Sequence, residues 1–484
     1  MTKTRDLADL GGGFIQAGTG AQQRTVESKL QDVVSVKDFG AVGDPVAIQA
    51  ALTYAIANGK VVGFDTDATI RIPDDAPTLQ DAMDHATVLG PYEIDLVIQS
   101  GHQPNSGVDV SNGDYGFFKI SSIDAVVTLG ATFPATAIIR GTYAKMPTLN
   151  CLIDANGKGL DGYFAQSSST GNVSVGCGID NAQQHGCHAR SGSSVQCGGA
   201  LFRNASQVTP AYSGILSWGS IVYASAADVS NSNYYGAQAA AAGLLYFRDG
   251  IANGCARHNI RATNAAVVNA RDASAQNGGV SGVRSFDTGI VNANGVNVTG
   301  SATGLWCQNC SQMYANNAIA NSTTGSVIFC DSGSKVVAPG ITATGTAAAT
   351  VVRSENGSNV FLDGAIFSNA SAKALSVSGS SSVTMTGGSL TGGDGASLLS
   401  VSDASKVYLS GVNTACSGTE PYLATVGLAS ELSIFNGTHT FPNDSVNLTQ
   451  GSFLRLHGSG ITAASVPGVL NDTLYGRGIM WGGA

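Results

Sequence analysis

The chain has 484 residues, 24 of them basic and 33 acidic, for a formal net charge of −9, so it lacks the basic face that binding to nucleic-acid phosphates requires. No stretch of about 18 apolar residues occurs, and Met1-Thr2-Lys3-Thr4-Arg5-Asp6 is not followed by an apolar leader core, so the expectation is a soluble protein with neither membrane insertion nor a secretion address. With 63 Gly, 12 Pro and only 12% charged residues, the composition favours short strands and tight turns.

In chain order, residues 1–34 come first, punctuated by Gly11, Gly12, Gly13, Gly18 and Gly20 and without core-sized apolar periodicity until Val26, Leu30, Val33 and Val34. Such a segment buries too little to fold alone and reads as an attachment arm that orders on a partner. Residues 35–93 form a cap region. Asp44 as helix cap, Pro45 at the first helical position, apolar residues at Val46, Ile48, Ala51, Leu52, Ala55 and Ile56, and Gly59 beyond the end predict one short helix that plugs an open core. A second helix is predicted from Leu79 to Ala86, then strands at Asp95 to Gln99 and Gly116 to Ile120.

Residues 94–455 repeat. Apolar strand starts fall at Leu149, Val173, Val195, Ile221, Leu244, Val267, Ile290, Met313, Val336, Val360, Val383, Val407, Leu432 and Phe453, in steps that centre on 23 residues. A unit of that length cannot bury its own apolar face and must stack on copies of itself. Within the unit that starts at Val360, three short β-rich runs are separated by turns of Gly, Ser, Asn and Asp. A second ladder, through Val283, Leu305, Val327, Val351, Leu375 and Leu398, stays in phase with the first. The fold predicted is all-β, a right-handed parallel β-helix solenoid. The nine cysteines, with Cys307 and Cys330 one repeat apart, read as reduced interior thiols rather than a disulfide framework. Residues 456–484 form an end segment whose Tyr475 to Trp481 stretch would be costly to expose, which argues that C-termini meet in an oligomer.

In a solenoid, residues one repeat apart are neighbours in space, so chemistry is sought by column. Arg248-Asp249 and Arg271-Asp272 form one column, and Asp249 with Asp272 is the candidate catalytic pair, since a glycosidase needs two carboxylates about 5–9 Å apart. Solvated turn residues are the competing explanation for this pair. A second column takes Arg190, Gln238, Arg261 and Arg284, the base type that a lyase would use. Arg261 and Arg284 with Tyr234, Tyr235, Trp306 and Asp287 make the candidate glycan-binding set, because planar donors and flat rings suit sugar hydroxyls and sugar faces. Cys307 and Cys310 have metal-like spacing without a second pair, and His185, His188 and His258 lack a motif and read as structural. No metal site and no cofactor is expected.

Val34-Ser-Val-Lys-Asp-Phe-Gly-Ala-Val-Gly-Asp44, followed by Ala47-Ile-Gln-Ala-Ala51, resembles the cap motif of bacteriophage tailspike and tail-fibre proteins with a pectate-lyase-like β-helix, and the stretch from Gly11 to Val34 resembles their particle-binding leader. The resemblance covers about 50 residues, and this chain runs from Asp44 straight to Pro45 where the family carries a Gly-Val-x-Asp-Asp-Thr insert. It implies a virion tail protein made in the host cytoplasm, a homotrimer, attachment to tail or baseplate proteins through residues 1–34, and recognition of a host surface polysaccharide. A polysaccharide depolymerase on the same scaffold and a purely structural baseplate component remain alternatives.

Overall fold

The computed structural model describes residues 33–41, 43–207, 211–345, 350–370, 373–392, 397–416, 422–440, 446–448 and 451–457, with backbone alone for 13–15, 23–25, 369–370, 416, 422, 456–457 and 479–483. Most of the arm expected at 1–34 and of the end segment expected at 456–484 lies outside the described residues.

The first helix, α1, spans Pro45–Asn58. The Asp44 carboxylate accepts from the Val46 N–H at 3.0 Å, and Gly59 ends the helix in the left-handed region at φ +60°. Its buried face, Ala47, Ile48, Ala51, Leu52 and Ala55, closes the core at this end of the molecule. The second, α2, spans Leu79–His85 with Thr78 as cap.

The rest is a right-handed parallel β-solenoid of about 16 turns. Three sheets run along it. Sheet I starts at Ala68–Ile72, passes through Ile94–Ile98 and Phe118–Ser122, and continues rung by rung to Phe453–His457. Sheet II is made of short strands at both ends, joined by single-residue bridges from Gly178 through Leu201, Asp228, Ile251, Ser274, Asn297 and Ile319 to Thr342. Sheet III has 15 strands, from Val108–Ser111 to Val446–Leu448.

Pairing fixes the register. The interior column of sheet I is Val195, Val222, Leu245, Val268, Val291, Met313, Val336, Val360, Val383, Val407, Leu432 and Leu454. Thus Ile221, Leu244, Val267, Ile290 and Phe453, expected as interior strand starts, sit one position early, the first four half-exposed and Phe453 exposed, while Val222, Leu245, Val268, Val291 and Leu454 are fully buried. Val195 and Met313, by contrast, are interior as read. The interior column of sheet III is Val283, Leu305, Ile328, Val352, Leu375 and Leu399. Full burial of one such side chain contributes about 1.5–3 kcal/mol, and each rung repeats it. Cys307 pairs in register with Cys330, and the shared hydrogen bond and burial push the Cys307 thiol well above its usual range.

Ahead of each sheet I strand runs a column that is mostly serine. Ser169, Ser193 and Ser220 occupy it, then Gly243, Ala266 and Gly289, then Ser311, Ser334, Ser358, Ser381, Ser405, Ser430 and Ser452. All of these serines are buried, and from Ser169 to Ser430 each hydroxyl except that of Ser311 accepts the backbone N–H of its counterpart one rung earlier at 3.1–3.2 Å, as in Ser334 to Ser358 and Ser358 to Ser381; Ser311 donates instead to the Gln308 carbonyl at 2.7 Å. A group that would otherwise be an unsatisfied buried donor is paired in this way.

Candidate functional site

Asp249 and Asp272 occupy one corner of the solenoid, between sheets I and II. Their φ values, +55° and +57°, lie in the left-handed region that Asn, Asp and Gly tolerate, and Gly295, Asn317, Gly340 and Gly364 continue the same corner. Each carboxylate pairs with the arginine before it, Arg248 at 3.3 Å and Arg271 at 3.1 Å, and all four groups are well exposed.

Arg261 and Arg284 stand elsewhere, on the outer face of sheet III. Their column runs Asp109, Arg140, Phe164, His188, Leu216, Gln238, Arg261, Arg284, Trp306, Phe329 and Arg353, one residue per rung. Arg190 is not in it: Arg190 pairs with Trp218, two positions away, because Val195 pairs with Gly171 and not with Val173, so a spacing counted from Val173 overshoots the column at His188 by two residues. A parallel column carries Ser213, Tyr235, His258 and Ser281.

On this face rings and guanidinium groups alternate. Arg261 lies over Tyr235 at 4.7 Å, and Arg284 lies over Phe286 at 4.6 Å and over Trp306 at 4.3 Å. Tyr235 stacks on His258 at 5.5 Å, Trp306 meets Phe329 at 5.6 Å, and Arg353 covers Phe329 at 5.0 Å. Tyr234 is joined to the set by Arg257, which donates to its hydroxyl and lies over its ring at 4.9 Å. The outer face is thus a strip of planar groups several rungs long, at about 4.8 Å per rung. Asp287 borders it from the following turn, where its carboxylate accepts from Asn309 at 2.8 Å beside a shallow cleft of about 470 Å³.

His258 is fully buried beneath this strip. Arg284 can only donate, so the 2.9 Å contact from its Nη1 makes His258 Nε2 the acceptor, and Nδ1–H donates to Ser281 Oγ at 2.8 Å. Burial, then the charges of Arg284, Arg261 and Arg257, drive the imidazole down to about 2. It is a neutral strut under cationic neighbours.

On earlier rungs of the same sheet, Asp161, His185 and His188 place one ligand atom each within 4.8 Å of one another, a grouping with metal-ligand dimensions. The His185 Nδ1 lone pair accepts the Ser213 N–H at 3.0 Å, which puts the ring proton on Nε2 and leaves Asp161 and His188 as the two groups free to ligate. Burial pushes the Asp161 carboxyl up, but His188 and His185 outweigh it and hold it below its usual range, while burial takes His185 down to about 3. The arrangement is that of an ionised carboxylate held against imidazole. Cys307 faces the interior, whereas Cys310 is exposed in a turn.

Of the residues the sequence offers, the structure brings together Tyr234, Tyr235, Arg261, Arg284 and Trp306, sets Asp287 at their edge, and places Asp249 and Asp272 on another corner. Arg257, His258, Phe286, Phe329 and Arg353 belong to the face and were not singled out as ligands. The histidines could have been found from the column alone, since His258 follows Tyr235 by one repeat.

No family model matches the sequence, and no curated protein matches it. Among solved structures, the tailspike protein of E. coli bacteriophage HK620 in complex with a pentasaccharide aligns at 13% identity and TM-score 0.34 over 99% of this chain and 84% of that one. A variant of the same tailspike in complex with a hexasaccharide aligns at 12% and 0.34 over 97% and 82%. The A-module of the Azotobacter vinelandii mannuronan C-5 epimerase AlgE4 aligns at 11% and 0.27 over 85% and 96%. Overlap at this level transfers no binding residue. The parallel β-helix itself rests on this chain's own rung-by-rung pairing.

Proposed function

We propose that the outer face of sheet III binds an extended polysaccharide, and that the chain is a phage tailspike or tail-fibre subunit that recognises a host surface glycan. The observation that carries the reading is the strip of Tyr235, Phe286, Trp306 and Phe329 interleaved with Arg261, Arg284 and Arg353. Flat rings stack on the apolar faces of sugars, guanidinium forks bond their oxygens, and a face that repeats every rung suits a polymer that repeats every residue. The virion assignment is supported by the resemblance of the stretch from Val34 to Ala51, within which Asp44 caps α1. Attachment through residues 1–34 and a parallel homotrimer belong to the same proposal.

A second reading, cleavage of the bound polymer, is favoured by the contact of Asp161 Oδ2 with His188 Nδ1 at 3.4 Å on the same face, a carboxylate–imidazole pair suited to general acid or base work.

The test is retention of the labelled full-length protein on an array of bacterial surface polysaccharides, followed by assay of the retained ones for oligosaccharide release. Retention that Trp306→Ala abolishes at an unchanged melting temperature is the expected result. Equal retention by that variant, or none on any polysaccharide, overturns the binding reading.

A further inference from the structure

Seven arginines other than Arg257, Arg261 and Arg284 have a carboxylate partner: Arg71, Arg140, Arg203, Arg248, Arg271, Arg353 and Arg455, two of which, Arg140 and Arg353, stand in the same column as Arg261 and Arg284. Arg257, Arg261 and Arg284 have none within 4.0 Å among the described residues, although they are crowded onto adjacent rungs of one face. Acidic residues outnumber basic ones in this chain, so the lack of counter-charge here is local.

Among the described residues, Asp287 is the one carboxylate whose charge reaches Arg261 and Arg284, and it bonds Asn309 rather than either arginine, so the crowding is costly. Arg284 is only 9% exposed, and burial, with the charges of Arg261 and Arg257, lowers its guanidinium to about 10. Its Nη1 and Nη2 are taken by His258 and by Gln308 at 3.3 Å, both neutral groups. The Nε of Arg261, the Nε of Arg284 and the Nε1 of Trp306 are buried donors with no acceptor. Buried donors of native proteins are nearly always paired, and three orphans on successive rungs of one column indicate a missing acceptor group. Positive charge, orphan N–H groups and flat rings together define that group. It carries negative charge on several oxygens and sits on a ring-shaped scaffold.

We propose that Arg257, Arg261 and Arg284, with Trp306, form a site for the anionic substituent of an acidic sugar, a carboxylate, sulfate or phosphate borne by the polymer that lies on this face. The inference rests on the glycan reading above and adds the charge class. A planar guanidinium fork meets two oxygens of any of these groups at once, which a neutral hydroxyl cannot match.

The test titrates glucuronate, glucose 6-sulfate, glucose 6-phosphate and glucose into the full-length protein at constant ionic strength and follows tryptophan emission, with Trp306→Phe to assign the signal. At least one anionic sugar should give a saturable change at concentrations at least tenfold below any response to glucose, and which one responds separates carboxylate, sulfate and phosphate. Arg261→Gln with Arg284→Gln should remove the response. Because Arg284 is buried, Arg257→Gln at the rim serves as a second variant, expected to weaken binding severalfold at the parent melting temperature. Equal responses to glucose and the anions, no saturable response to any anion, or unchanged binding by Arg257→Gln overturns the proposal. The array separates this failure from that of the wider reading: a neutral polysaccharide retained through Trp306 keeps glycan binding and rejects the charge class. Saturable binding of inorganic sulfate with no preference for a sugar anion keeps an anion site and rejects the sugar.

Discussion

Arg284 donates from Nη1 to Nε2 of His258 at 2.9 Å, so an imidazole that is fully buried is fixed in its neutral form by a cation. Protonation would place two positive charges in contact and remove the acceptor at once.

Acid sensitivity follows from this. The unfolded chain protonates His258 near pH 6.5 and the folded chain only near 2, with His185 behaving alike at about 3. Between those values the unfolded form binds more protons, so stability present above pH 6.5 is lost as pH falls, by about 1.4 kcal/mol per unit per histidine. Urea midpoints should decline from pH 6.5 to 4.5, and His258→Gln, which can still accept from Arg284, should flatten that decline. Parallel curves for the two proteins would contradict the assignment.

Register is tested by adjacent residues. Val291→Asp would bury a charge without a partner and cost several kcal/mol, whereas Ile290→Asp points a carboxylate outward at a half-exposed position and should cost far less. Thermal melts of the pair measure the difference. Equal losses would mean that both faces of the strand are enclosed.

At the corner of Asp249 and Asp272, conformation and chemistry can be separated. Asn keeps the tolerance for φ near +55°, while Val opposes it by about 1–2 kcal/mol. Asp272→Asn should melt close to the parent protein and Asp272→Val lower. If the protein releases oligosaccharide, a loss of that release in Asp249→Asn would restore this pair as catalytic.

Ser358→Ala leaves the buried Ser334 N–H without its acceptor, at a cost of about 1–3 kcal/mol. Denaturant midpoints read this directly, and no shift would mean that water reaches the ladder.

A chain that begins at Ser35 should remain soluble and sediment as a trimer, since the residues before Val26 add little apolar area. A monomer at micromolar concentration would remove the trimer from the proposal.

The sequence made the solenoid legible because its period belongs to the backbone path, and it made α1 legible because Asp44, Pro45 and Gly59 each have a local reason to be where they are. Register was less accessible. The pairs Ile221-Val222, Leu244-Leu245, Val267-Val268 and Ile290-Val291 are apolar at both positions, so pattern alone cannot say which side faces inward, and a one-residue slip exchanges the faces. Sheet II left little signal in the middle rungs, where it is reduced to single bridges. Arg261 and Arg284 share a column because both lie in rungs of equal length, whereas Arg190 falls outside it because Val195 pairs with Gly171 and the apolar Val173 two residues on is a false start for that rung. The histidines carry no local motif, and only the one-repeat spacing of Tyr235 and His258 places them by the face.

The gap in the serine column at Gly243, Ala266 and Gly289 has a further consequence. A chain of near-identical repeats can pair with the wrong neighbour and still bury Val against Val. Skipping a rung near either end of the gap would carry a serine N–H to a residue with no hydroxyl, and a hydroxyl to a place where no N–H awaits it. The pattern of three serines, three blanks and seven serines therefore works as notches on a key, admitting one alignment of the coils and penalising its neighbours during assembly.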